Sequence, residues 1–252
     1  MTKLWSTFLL LGLPAAGFSQ EDPLVTDRPD FTESATVPGR GRVQVEGGWT
    51  VEGGGGAHEH SLGEALVRIG IGDRLEARIE PGSWVSVDNG EGEEALGFDD
   101  AGLGFKVLFL EESPPTVPAV ALLVSSSVPT GDNEIGESGW QPEARLALGW
   151  GQTAAWSLGV NAGWGRPLAG GERFDQALGS VALGRPLGPR LGAFAELYGL
   201  APGHPGGDDA AYADGGLTLA LGPDAQLDAR AGAGLTDASA DWLFGIGFAR
   251  RW

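Results

Sequence analysis

From residue 42 onward the chain falls into segments of about ten residues in which apolar side chains alternate with polar or glycine positions, separated by turn-rich breaks. In Arg42-Val43-Gln44-Val45-Glu46-Gly47-Gly48-Trp49-Thr50-Val51-Glu52 the odd positions are apolar or glycine and the even ones polar or glycine. Successive strand side chains point to opposite faces, so a slip of one residue would carry Arg42, Glu46 and Glu52 onto the apolar face. Between Arg74 and Glu80, Leu75, Ala77 and Ile79 share one face while Arg74, Glu76, Arg78 and Glu80 share the other. Leu158, Val160 and Ala162 lie on the face of Trp156 and Trp164. At strand rise those two rings are roughly 26 Å apart, or ~20 Å after tilting, the spacing of two interfacial aromatic belts. In the last segment Trp242, Phe244, Ile246 and Phe248 form an apolar stripe backed by glycine and alanine, and Trp252 closes it. A bilayer on one side and a crowded lumen on the other account for both faces.

Strands are predicted over 42–52, 62–71, 74–80, 101–110, 117–128, 140–150, 156–164, 177–185, 190–200, 212–221, 225–235 and 241–252. Their number, about twelve, is even, as in bacterial barrels. The breaks alternate in length. Gly53–His60, Gly82–Ala95, Pro129–Gly139, Arg166–Arg173 and Ala201–Ala211 are long, whereas Gly72-Asp73, Glu111–Thr116, Gly151-Gln152, Gly188-Pro189 and Gly222-Pro223-Asp224 are short. Long outer loops and short periplasmic turns sort this way; a β-sandwich, the soluble alternative, has no reason to. The expected fold is all-β: a transmembrane antiparallel β-barrel over residues 41–252, preceded by a short N-terminal periplasmic segment at 20–40. Both termini then face the periplasm.

The N-terminus agrees. Met1-Thr2-Lys3 is basic, Leu4 to Leu13 is mostly apolar, and Gly17-Phe18-Ser19 offers small residues before a cut ahead of Gln20. Residues 1–19 read as a secretory signal peptide, too short for a membrane helix. Cysteine is absent, which excludes disulfides, thiolate metal sites and cysteine nucleophiles. A net charge of −18 argues against nucleic-acid binding, which needs a basic face. The 44 glycines suit crowded strands.

Inward parity collects Arg42, Glu46, Arg74, Glu76, Arg78, Glu80, Lys106, Glu143, Arg145, Glu196, Asp228, Arg230 and Arg251 as candidate lumen-lining residues. Both signs interleave, so these side chains form either a polar conduction path or a network that fills the interior. Ahead of the first strand, Asp27, Arg28, Pro29, Asp30 and Phe31 form a candidate plug that enters the lumen and pairs with its charges. The competing reading is a clasp that seals the barrel bottom, anchored by Phe31. Acidic residues crowd the outer loops at Asp88, Glu91, Glu93, Glu94, Asp132, Glu134, Glu137, Asp208 and Asp209. They lack EF-hand spacing and read as solvated loops. His58, His60 and Ser61 in the first long loop could serve a barrel lipase, and His58-x-His60 a metal, but the neighbouring Gly53-Gly54-Gly55-Gly56 is too flexible to hold such geometry. His204 stands apart in another loop.

Three segments carry a family resemblance: Thr26-Asp27-Arg28-Pro29-Asp30-Phe31-Thr32-Glu33-Ser34, Gln44-Val45-Glu46-Gly47-Gly48 and Val128-Pro129-Thr130-Gly131-Asp132. With Gln141-Pro142-Glu143-Ala144-Arg145 and the aromatic terminus, the chain resembles the outer-membrane barrels of the MetA-pathway phenol-degradation family, often called transporters. The resemblance implies an outer-membrane location and passage of small hydrophobic or aromatic compounds. The expected partners are outer-membrane lipid, a small-molecule permeant, and the barrel-assembly machinery during insertion. No nucleic acid, catalytic residue, metal or cofactor is expected, and transport would be passive. The alternatives are a non-conducting structural or adhesive barrel with an occluded lumen and, more remotely, a lipid-modifying enzyme using the loop His and Ser.

Overall fold

A computed structural model describes residues 24–113, 116–151 and 155–252. The signal peptide expected at 1–19 and the start of the N-terminal segment lie outside the described residues. The strands are β1 (Val43–Gly54), β2 (Ala57–Gly70), β3 (Leu75–Glu80), β4 (Trp84–Asp88), β5 (Glu94–Phe98), β6 (Ala101–Leu110), β7 (Ala119–Val128) and β8 (Gln141–Trp150). They continue as β9 (Ser157–Gly165), β10 (Leu168–Ala169), β11 (Glu172–Arg173), β12 (Gln176–Pro186), β13 (Leu191–Ala201), β14 (Ala210–Gly222), β15 (Ala225–Gly234) and β16 (Trp242–Arg251).

Every pairing is antiparallel, and β1 bonds both to β2 and to β16, so the sheet closes on itself as a 12-strand barrel. The number of segments exceeds the number of staves for a local reason. β2 pairs with β3 along its second half and with β4 along its first, so β3 and β4 are one stave broken at Pro81-Gly82-Ser83. Likewise β5 and β6 are one stave broken at Asp99-Asp100, while β10 and β11 make a small hairpin inside a loop. Closure removes the unpaired edges that an open sheet would expose to lipid.

The outer face is the apolar one. Val181, Leu197, Leu217, Ile246 and Phe248 are all substantially exposed, and each alternates with an inward neighbour. Aromatics mark both rims. At the rim where β1 begins and β16 ends, here the near rim, Arg185 stacks over Trp156 and Arg250 over Trp252, at 4.8 and 5.3 Å from the ring centroids. At the far rim Trp242, opposite Gly53 beside the β1–β2 turn, packs on His58 at 5.8 Å between centroids. Amphipathic rings sit well where apolar and wet surfaces meet.

Three local expectations need correction. The stretch 53–60 is no long loop: β1 and β2 run on to a tight turn at Gly55-Gly56, both at positive φ. Gly82–Ala95 holds the ordered β4–β5 hairpin rather than a loop. The strand over 62–71 is interrupted by a β-bulge, where Gly63 (φ 106°) and Glu64 (φ 32°) shift the register against Gly48. The bulge reverses parity within β2, so Arg68 and Glu64 point inward on one side of it and Ser61 on the other.

The interior inverts the usual core. The largest fully buried side chains are Arg68, Lys106, Gln44, Glu46 and Glu76. Buried charges persist only when paired and hydrogen-bonded, and the chain ahead of β1 supplies much of that pairing.

Candidate functional site

Residues 24–38 run through the lumen rather than beneath it. Glu46 on β1 accepts hydrogen bonds from the backbone N–H of Asp27 (3.0 Å) and Arg28 (2.9 Å). Glu196 on β13 accepts those of Phe31 and Thr32 (2.7 Å each) and the Thr32 hydroxyl. Asn161 on β9 accepts from the Glu33 N–H (2.8 Å) and donates to its carbonyl (3.0 Å). Arg145 on β8 donates to the Phe31 carbonyl at 2.9 Å, and Arg68 to that of Thr36, also at 2.9 Å. The segment forms no strand, so its backbone groups are satisfied by wall side chains instead.

Side chains fix it further. The Asp27 carboxylate lies 2.6 Å from Arg78, 2.8 Å from Lys106 and 3.3 Å from Arg68. Glu33 takes both oxygens to Arg78 Nη2 at 2.9 and 3.0 Å. The Phe31 ring is sandwiched between the Arg145 guanidinium (4.6 Å) and Tyr198 (4.5 Å, planes 11° apart), and Tyr198 stacks in turn on Tyr212 at 4.8 Å. Ala35 packs into an apolar patch of Ala119, Ala121, Leu123 and Ala147.

The bases of the lumen cluster on one side, interleaved there with Glu64, Glu76 and Glu143. Arg68, Arg78, Lys106 and Arg145 stand on β2, β3, β6 and β8. Glu196, Asp214 and Asp228 stand on β13, β14 and β15, across the ring in the strand order. The segment turns Asp27 and Glu33 to the bases and Arg28 to the seam beside β1, where Arg28 meets Glu64 of β2 at 2.8 Å and Asp228 of β15 at 3.7 Å. Burial pushes the Asp27 carboxyl up, but the charges of Arg68, Lys106 and Arg78 outweigh it and hold it well below the usual carboxylate range. Asp30 has the opposite surroundings: burial, then Glu196 and Asp214, push it well above. The acidic wall is poorly compensated. Among the described residues neither oxygen pair of Asp214 or Asp228 has a hydrogen-bond partner, and Arg230 approaches Asp214 only to 3.8 Å.

The wall makes room by omission. A Cβ added to Gly159 would lie 2.9 Å from the Thr32 methyl, and one on Gly48 or Gly247 would overlap the Arg28 guanidinium. Small residues also leave space on both sides of the segment. A cavity of about 510 Å³ opens at the near rim and one of about 270 Å³ lies toward the far rim; Arg28 and Glu33 line both.

Of the residues singled out by parity, Glu46, Glu76, Arg78, Lys106, Arg145, Glu196 and Asp228 are buried around the segment, and Arg230 stands half-buried beside them. Glu143 pairs with Arg145 at 3.0 Å, and Glu80 borders the far cavity. Arg42 is half-buried just ahead of β1. One expectation is corrected. Arg74 is not in the lumen: it is 58 % exposed on the near turn, paired with Glu111, because strand parity ends where the turn begins. Arg251 is buried at the near rim, where it binds Asp224 at 2.7 Å and lines a cavity with Val25 and Ala35 of the segment.

Sequence reading missed Arg68, Glu64, Asn161, Tyr198, Tyr212 and Asp214. Arg68 and Glu64 were hidden by the bulge. The others lie on strands read by their apolar faces, and inward parity counted from Glu196 or Asp228 would have found Tyr198 and, through pairing, Asp214. The loop-histidine constellation does not assemble: His58 and His60 pack on Trp242 and Trp49 outside the barrel, whereas Ser61 lies opposite Thr50 on the inner face. No cluster of three metal-ligating side chains occurs among the described residues.

Solved structures with this architecture are outer-membrane proteins. The COG4313 outer membrane channel from Pseudomonas putida F1 superimposes with a TM-score of 0.65 at 13% identity, covering 90% of this chain and 100% of that one. The KdgM porin matches with a TM-score of 0.56 at 7% identity, covering 82% of this chain and 98% of that one. The NanC porin matches with a TM-score of 0.51 at 12% identity, with coverages of 82% and 98%. No curated protein matches the sequence. Residues 26–252 match the family described as "Putative MetA-pathway of phenol degradation", a span that starts at the lumenal segment and includes every strand. The chain is an outer-membrane β-barrel and belongs to that family.

Proposed function

We propose that the protein is a passive outer-membrane channel for small molecules, closed at mid-lumen by residues 24–38 of its own chain. The observation that carries this reading is the partition. Two cavities approach from opposite rims and meet the same short segment, whose ties to the wall are hydrogen bonds and ion pairs rather than strand pairing. Such a segment can leave without opening the barrel, because none of the ladder hydrogen bonds belongs to it. The similar structures described as channels and porins support a conducting role, and the family description supports hydrophobic or aromatic permeants. A transport role is favoured over an enzymatic one because Ser61 and the two nearby histidines lie on opposite faces of the wall. The near rim, which carries both ends of the barrel, would face the periplasm, and insertion would use the barrel-assembly machinery.

The test is single-channel recording of the refolded protein in planar bilayers, beside a variant lacking residues 27–34. Low or intermittent conductance from the intact barrel and steady current from the variant is the expected result. Silence from both, with folding confirmed by heat-modifiable gel mobility, would establish an occluded structural barrel instead. Unfolding of the variant alone would show that the segment is a clasp required for assembly.

A further inference from the structure

The wall against which the segment docks has a composition of its own, and the segment supplies its complement. Lys106 is fully buried, and the carboxylates recorded within 4 Å of it, Asp27 and Glu33, both belong to the segment. Arg78 divides its guanidinium between the same two carboxylates, with Glu76 at 3.0 Å as its ion-pair partner on the wall among the described residues. Beside them Arg145 of this wall and Tyr198 of β13 hold the two faces of the Phe31 ring. Withdrawal of the segment would strip Lys106 of both carboxylates within 4 Å, leaving it the more distant charge of its cross-strand neighbour Glu76, and would open a slot for a planar ring between a guanidinium and a phenol. A buried ammonium that has lost its contact carboxylates is costly, so the vacated position beside Lys106 favours an anion. A slot bounded by a cation and an aromatic face favours a π-system. Phe31 and Glu33 are two residues apart, so ring and carboxylate are anchored from Cα atoms no more than ~7 Å apart. That is the span of one small molecule.

We propose that this wall, together with Tyr198, is a binding site for small aromatic carboxylates, and that the chain closes its own pore by presenting Asp27, Phe31 and Glu33 as an internal ligand. The proposal rests on the reading of the segment as a removable closure. The permeant reaches the site from the far cavity, which borders Asp27, Glu33 and Arg78 directly. The opposite wall, with Glu196, Asp214 and Asp228, repels the carboxylate and so orients it toward Lys106.

The test uses the full-length chain in two forms: wild type, and the triple variant D27N/F31A/E33Q, which removes the internal ligand's charges and ring without shortening the segment. Binding of phenylacetate, acetate, benzyl alcohol and benzylammonium is measured by titration calorimetry in detergent, and conductance is recorded separately. The triple variant is expected to bind phenylacetate roughly tenfold more tightly than the other three compounds. In wild type, phenylacetate should raise open probability by displacing the segment, whereas acetate should not. In the triple variant, Arg145→Lys keeps the charge but loses the stacking plane, and should abolish the preference of phenylacetate over acetate. Equal or tighter binding of benzylammonium would overturn the proposal, since the acidic wall would then select. So would equal binding of acetate, or no binding at all by a folded triple variant. If the triple variant does not fold, absence of any phenylacetate effect on wild-type conductance or thermal stability overturns it. Selective binding without current would retain the site and refute the channel; current without selective binding would do the reverse.

Discussion

Lys106 Nζ donates to both carboxylate oxygens of Asp27, at 2.8 and 3.0 Å, across a separation of 79 residues. One residue lies on a strand of the closed wall and the other on a segment without secondary structure. The pair therefore ties the lumenal segment directly to the barrel wall. Its consequences can be measured.

Asp27→Asn leaves Arg68, Arg78 and Lys106 around a neutral amide. Breaking a buried ion pair by removing one partner typically costs about 3–5 kcal/mol. The segment should detach while the barrel, held by its ladders, persists. Expected results are a rise in open probability in planar bilayers and unchanged heat-modifiable mobility. Wild type should keep its anchor over a wide pH range. Asp27 titrates lower folded than unfolded, so its contribution is present above the unfolded value of about 3.9 and is lost as pH falls toward the depressed one.

Asp30→Asn should act in the opposite sense. Asp30 sits beside Glu196 and Asp214, and its folded pKa is raised. The penalty is absent below the unfolded pKa, grows as pH rises from there to the folded value, and is complete above it. Asparagine removes it. The variant should dock its segment more firmly at neutral pH, with fewer openings and a higher thermal midpoint. The difference from wild type should vanish in acid; a difference that persists there would refute the electrostatic cause.

Gly159→Ala tests docking by volume alone. The added methyl meets the Thr32 side chain and nothing else within 4 Å, so only the segment has to move. Gly179→Ala is the control, with Asn161 O at 3.9 Å as its nearest neighbour. Protease accessibility of residues 24–38 should rise in the first variant and stay at the wild-type level in the second.

Depth in the bilayer can be read from two outward valines. Val181 pairs with Val160 and Leu197 halfway along β12, whereas Val45 pairs with Arg250 near the rim. Val181→Arg should cost roughly 2–4 kcal/mol of barrel stability and Val45→Arg about 0–1 kcal/mol. Equal costs in urea titrations of the refolded variants would show that the lipid belt is placed wrongly.

Strand parity was legible wherever a strand is regular. In β1 the alternation of Val43, Val45, Trp49 and Val51 with Gln44, Glu46 and Thr50 predicts which face meets lipid, and the burial of Gln44, Glu46 and Thr50 agrees. Parity failed at irregularities. The Gly63–Glu64 bulge reverses faces in mid-strand, and no pattern of period two announces it; Arg68 was lost for that reason. Loop lengths misled at Gly53–His60 and Gly82–Ala95, because glycine-rich hairpins that extend a stave read like loops when the partner strand is unknown.

The sequence by itself determined the class of the fold and the chemistry of its two faces. Those follow from local rules: a period of two, turn residues, and the cost of exposing backbone or charge to lipid. Only the tertiary structure decided that Asp27, Phe31 and Glu33 lie inside the barrel. It also decided that their partners are Arg78, Lys106, Arg145 and Tyr198, and that the bases cluster on one side of the lumen. These contacts join residues from 45 to more than 160 positions apart. They depend on which strands the closure of the barrel sets opposite one another, which no local pattern encodes.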